Sequence, residues 1–144
     1  MKKVVPKIVQ FLSLLTIGGF IYVLIELAFR GRSHWTMFLL GGLCFYLIGL
    51  VNELYPWDMP LISQMFISSI IVTSLEFIFG VFLNIFLGLG IWDYSNLPYN
   101  LCGQICLIFS IAWFFLSALA IILDDYLRYL WFNEDIPHYK LWHS

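Results

Sequence analysis

Apolar residues fall into four long runs, at about residues 8–29, 35–54, 61–89 and 101–127, separated by short stretches in which charged, aromatic and proline residues collect. At 1.5 Å rise per residue, about twenty helical residues span a hydrocarbon core of ~30 Å, so each run predicts a transmembrane helix. The first follows MKKVVPK, the charge pattern of a secretory leader. It is longer than the apolar core of a cleaved leader and no small-x-small cleavage site follows, so it is expected to remain as the first helix. The third, Leu61 to Leu89, exceeds a perpendicular span; it is expected to tilt, to begin in the interface, or to break near Gly88 and Gly90. Residues 128–144 read as a charged, aromatic interfacial tail. The expected fold is all-α, a single integral membrane domain over residues 1–144 built as a bundle of four transmembrane helices.

Within the runs, polar residues recur at helical spacing. Gly19, Tyr22, Glu26 and Arg30 share one face of the first helix, and Glu26 with Arg30 forms an i, i+4 acid-to-base pair. Gly41, Gly42 and Gly49 on the second helix suit close helix approach. The third helix sets Ser69, Thr73, Glu76, Gly80 and Asn84 opposite Ile67, Ile71, Ile78, Val81, Ile85 and Leu89. A polar and small stripe opposite an aliphatic one predicts which side meets protein and which meets lipid. The fourth helix carries Cys102, Cys106, Ser110, Trp113, Ser117, Ala120 and Asp124 on one face. Between helices three and four, Pro98 blocks helix continuation, and Asn100 is placed to cap the fourth helix.

Composition reinforces the membrane reading: 62% of residues are hydrophobic and 11% charged, with a mean hydropathy of +0.91. A soluble domain of this length has too little interior to hide them. The formal charge of −2 leaves no basic field for nucleic acid. Cys44, Cys102 and Cys106 lie in or beside apolar runs without a CxxC pair or a His cluster, and read as small buried side chains; no metal site and no cofactor are expected. Walker A, HExxH and GxSxG motifs are absent from the sequence, so the common hydrolase chemistries are not encoded and no catalytic residue is assigned. Four spans put both termini on one side of a cell membrane. Placing Lys2, Lys3, Lys7, Arg128 and Lys140 inside and Arg30 and Arg32 outside makes that side cytoplasmic.

Laid out by depth on this topology, Glu26, Arg30, Arg32, His34, Asp93 and Gln104 gather toward the outer face, and Glu53, Asp124, Asp125 and Arg128 toward the inner one. Glu76 is left near the midplane with no base at its depth. A carboxylate in hydrocarbon costs several kcal/mol, and holding a proton lowers that cost. Hydrogen bonds from Trp113, Ser110, Ser117 or Thr16 are expected to hold it, and Asn84 lies on the same stripe. Three roles stay open for Glu76: a proton or cation site in a transport path, a structural acid joining helices three and four, or a catalytic acid or base. In the outer group, Glu26, Arg30, Arg32 and Asp93 form a charge cluster that either fixes topology or receives an anionic head group.

The residues from Glu76 and Gly80 through Trp92-Asp93-Tyr94-Ser95, Pro98, Asn100, Gly103 and Ile105 to Phe109-Ser110 and Trp113 resemble the CmpB-like, ABC transporter type IV family of bacterial membrane permeases. Glu26 and Arg30 resemble that family's acidic and basic positions near the end of the first helix. SHWTMFLLGGLCFYLIG departs from it, standing where many relatives carry a loop of Arg-Gly, Gly-Pro and Pro-x-Tyr-Gly. The resemblance implies a permease-like or transport-associated membrane subunit, a homo-oligomer or part of a larger membrane complex, served by a separate nucleotide-binding subunit. The rival reading is a membrane adaptor or assembly protein whose polar helix faces pack against partners.

Overall fold

A computed structural model describes residues 5–31, 33–54 and 60–132. Four helices dominate: α1 (Lys7–Arg30), α2 (Trp35–Leu54), α3 (Leu61–Gly80) and α4 (Leu107–Phe132). Helix α3 runs on as a π-helical turn, Val81–Phe86, and a hairpin carrying two short antiparallel strands, β1 (Asn100–Leu101) and β2 (Ile105–Cys106), leads into α4. Helices α1 and α4 and the continuous segment Leu61–Phe86 are long and apolar enough to cross a membrane; α2 has a shorter apolar stretch, Trp35–Val51.

Chain chemistry accounts for the boundaries. Pro6 stands before the first turn of α1, where its missing N–H is no loss, and Gly31 closes the helix at φ 70°, donating its N–H to Leu27 O. The third apolar run breaks after Phe86, at Gly88 and Gly90, whose φ values of 68° and 60° are left-handed. The fourth helix begins at Leu107, not near residue 101, because residues 100–106 are spent on the hairpin; Asn100 sits in β1 and does not cap α4. At its other end α4 continues through Arg128 to Phe132, so the expected tail begins as helix. Lys2, Lys3, Arg32 and Lys140, the side chains of Arg30 and Glu53, and the rest of the tail lie outside the described residues.

Glycines let α1 and α2 pack closely. A Cβ on Gly42 would strike the Leu15 carbonyl, and one on Gly19 would meet Phe38 O at 2.7 Å. Helix α2 lies at the centre: α1 packs on one side of it, and α3 and α4 pack on it and on each other. Its Met37, Leu40, Cys44 and Ile48 join Met65, Val72, Trp92 and Ile121 in the main core. The polar stripes of α3 and α4 meet inside the bundle, where Ser69 Oγ donates to Ser110 O at 2.9 Å and Thr73 pairs with Ser110 Oγ at 3.0 Å. Ile78, Ile85 and Leu89 on the opposite face are exposed, as the stripe predicts.

Toward the other end, Arg128 Nε donates to Asp124 Oδ2 at 3.0 Å, an i, i+4 ion pair with both side chains buried. Gly49 on α2 makes room for the Asp124 carboxylate. Asp124, Asp125 and Arg128 are all buried within the bundle.

Candidate functional site

The site is built around one turn of α3. Glu76 is 3% exposed, and its Oε2 accepts a hydrogen bond from Tyr94 Oη at 3.2 Å. Trp113 on α4, a partner that the sequence also predicts, has its Nε1–H within reach of Glu76, although neither Glu76 Oε1 nor Trp113 Nε1 has a partner at full hydrogen-bond geometry. From α1, Tyr22 and Glu26 approach the same region, and α2 brings Cys44. The Tyr22 ring meets Trp113 edge-on, with centroids 6.0 Å apart.

The hairpin puts Tyr94 in place. Asn84, on the π-helical turn, accepts the Ile91 N–H at 2.6 Å and donates to Gln104 Oε1 at 2.8 Å. Trp92, 4% exposed, donates its Nε1–H to Gln104 O at 3.0 Å. Gly80 leaves the gap that these two fill: a Cβ there would meet Gln104 Oε1 at 2.6 Å and Trp92 at 3.0 Å. Asp93 Oδ1 accepts the Ser95 N–H at 2.9 Å, Gly103 N–H donates to Asn100 Oδ1 at 3.1 Å, and Tyr94 N–H donates to Gly103 O at 2.7 Å. Tyr99 and Cys102 hold left-handed backbone, φ 55° and 57°. That is strain of about 1 kcal/mol or more each, which the hairpin's hydrogen bonds offset. The Tyr94 ring stacks on Phe109 at 4.9 Å.

Two titrations in the hairpin follow from this geometry. Hydrogen bonds from the Ser95 side chain and N–H hold the exposed Asp93 carboxyl below its usual range. Burial, and then the Glu76 carboxyl, push the Tyr94 phenol well above its ordinary range, so Tyr94 stays an O–H donor at physiological pH.

In front of Glu76 lies a cleft of about 230 Å³ with α1 and α4 as walls and α2 as floor. Its lining is apolar apart from a few groups, among them Glu76, Tyr22 and Ser117, and its lips are exposed aliphatic side chains such as Ile25 and Leu119.

Several sequence expectations change. Ser110, Ser117 and Thr16 do not hold Glu76: Ser110 serves Ser69 and Thr73, Ser117 donates to Trp113 O at 2.6 Å, and Thr16 donates to Leu12 O at 2.7 Å. Asn84 serves the hairpin. Glu26 is buried and lies near Glu76. Asp93 is exposed and engaged with Ser95, Arg32 is outside the described residues, and nothing is described of the Arg30 side chain. Cys44 and Cys106 are buried as expected, whereas Cys102 is exposed in the hairpin turn. Tyr94 is the residue that sequence reasoning missed as a partner of Glu76; its only signal was its place in the motif that carries the family resemblance.

The chain matches the family described as "Putative ABC-transporter type IV" over residues 7–142. It belongs to the ABC-transporter type IV family. Comparisons with curated proteins and with solved structures give no match. Family membership and the long apolar helices together make this a membrane transport-associated chain. In this member of the ABC-transporter type IV family, the Trp92-Asp93-Tyr94-Ser95 motif does more than turn the chain, because it carries Trp92 and Tyr94 back against α3.

Proposed function

We propose that the chain is the permease-like membrane subunit of a bacterial transport complex and that Glu76 is its proton-exchanging carboxylate. One observation carries the reading: a carboxyl group 3% exposed, held on one oxygen by Tyr94, stands with its other oxygen unpartnered at the base of a cleft. An acid in an apolar membrane interior is costly when ionised, and structural hydrogen bonds between membrane helices contribute only ~0.6 kcal/mol, so helix pairing alone is a poor account of it. Ser69, Thr73 and Ser110 already join α3 to α4. Both termini face the cytoplasm, and the subunit works as an oligomer or with a separate nucleotide-binding partner, since the sequence carries no phosphate-binding glycine loop.

The test is modification by dicyclohexylcarbodiimide, an apolar reagent that attacks protonated carboxyl groups, mapped by peptide mass spectrometry on the lipid-reconstituted chain. Glu76 is expected to be modified at neutral pH. Modification of other acids with Glu76 untouched overturns the reading. A membrane-adaptor role draws less support, because the polar stripes that it would offer to partners are engaged with each other inside the bundle.

A further inference from the structure

The cleft in front of Glu76 has walls from two helices that each pack on α2, so its mouth lies along the side of the bundle. Ile25 on the α1 lip is 37% exposed and Leu119 on the α4 lip 67%. In a chain whose helices cross a membrane, such a mouth faces acyl chains, and its occupant arrives from the lipid. An apolar body is therefore the first requirement on that occupant.

Charge sets the second requirement. Glu76 is the acidic group in the lining, and none of the lining residues is Lys, Arg or His. A second acid, Glu26, lies near Glu76. Glu76 Oε1 is buried and has no hydrogen-bond partner. An anion would be repelled by the ionised Glu76 carboxylate, and a neutral chain would leave that carboxylate uncompensated in apolar surroundings. A positive charge compensates it. The edge-on pair of Tyr22 and Trp113 in the lining offers ring faces to the same charge. A bare metal ion is poorly served here: hard cations take six or more oxygen ligands, whereas the side chains of the lining offer one carboxylate, the Tyr22 phenol and a Ser117 hydroxyl already donating to Trp113 O.

We propose that this cleft binds an organic monocation with an apolar body, entering from the lipid and setting its charge against Glu76. The proposal rests on the reading of Glu76 as a proton-exchanging acid and names the substrate class of that site. The cation and the proton compete for one carboxylate, so binding tightens as pH rises. The other titratable groups facing Glu76 are Tyr22 and Glu26 from α1, Cys44 from α2 and Tyr94 from the hairpin.

The test uses the full chain in zwitterionic lipid nanodiscs, with octyltrimethylammonium, octanol and octanoate as probes. Two readouts are taken, the rate of carbodiimide modification at Glu76 and the change in tryptophan fluorescence. The cation is expected to slow modification at least tenfold at concentrations where octanol and octanoate change it less than twofold. Its fluorescence midpoint is expected to rise at least tenfold in Glu76→Gln. Equal protection by octanol, or an unchanged midpoint in Glu76→Gln, overturns the proposal. The two readings fail separately: an unmodified Glu76 in the probe-free chain defeats the proton-site reading, while the fluorescence midpoints still decide cation binding. Leu119→Trp narrows the exposed lip without touching the carboxylate. Should Glu76→Gln not fold, a weaker response to the cation in Leu119→Trp supports the cleft as its site, and an unchanged response overturns it.

Discussion

Tyr94 Oη donates a hydrogen bond to Glu76 Oε2 across 3.2 Å, and the two residues stand eighteen apart in sequence. This bond ties a connecting hairpin to the one acid that α3 carries, so the conformation of the hairpin and the environment of Glu76 are coupled.

Tyr94→Phe keeps the ring stacked on Phe109 and removes the donor, leaving Glu76 without its hydrogen bond. A buried acceptor that loses its partner costs about 1–3 kcal/mol. The variant is expected to unfold at lower dodecyl sulfate fraction by about that amount, followed by tryptophan fluorescence. Glu76 in this variant is also expected to react faster with carbodiimide, because the phenol that covers one oxygen has gone.

Two glycine substitutions separate crowding from backbone strain. In Gly42→Ala the new methyl meets the Leu15 carbonyl, a backbone atom that cannot swing away, and α1 must move off α2. Overpacking of this kind costs ~1–3 kcal/mol. Gly88→Ala meets nothing within 4 Å but must hold φ 68°, which costs ~1–2 kcal/mol for a residue with a Cβ. Cysteine crosslinks between α1 and α2 are expected to slow in the first variant and to stay unchanged in the second.

The buried pair of Asp124 and Arg128 should behave asymmetrically in a double-mutant cycle. Removing one partner leaves a buried charge, so Arg128→Met is expected to cost about 3–5 kcal/mol. Adding Asp124→Leu should recover a substantial part of that loss, read from the same unfolding curves.

Asp93 carries a pH dependence of known sign. Its carboxyl lies below the usual range in the folded hairpin, so the contribution is present above the ordinary carboxylate range and is lost as pH falls through the folded value. Hydrogen-exchange protection of the Tyr94 amide, which is bonded to Gly103 O, is expected to fall on acidification of the wild-type chain. Asp93→Asn keeps an acceptor for the Ser95 N–H and should show no such fall.

The helices were legible because their signals are local: apolar length, the left-handed glycines at 88 and 90, and the stripe from Ser69 to Asn84 each follow from a few neighbouring residues. The hairpin was only half legible. Pro98 and Gly103 announce a turn, but nothing in the string around Trp92 says that the turn folds back on its own helix. That return depends on Gly80 and Asn84, which make room for Trp92 and Gln104 and bond the Ile91 N–H from the end of that same helix. The hydroxyl partners expected for Glu76 were wrong for a related reason. Depth counting treats the helices as starting level, whereas the hairpin lets α4 begin beside the middle of α3, with Ser110 opposite Ser69 and Thr73. Which hydroxyl meets which acid is a matter of register between helices, and one chain's periodicity does not encode it.

The proposed role of Glu76 requires that it hold a proton in its buried site. Isotope-edited infrared spectroscopy of the lipid-reconstituted chain, with labelled glutamate, tests this most directly. A protonated-carboxyl carbonyl band is expected at neutral pH, and it should disappear in Glu76→Gln. A Glu76 that shows only the carboxylate stretch at neutral pH, and down to pH values where exposed glutamates begin to protonate, would contradict that role.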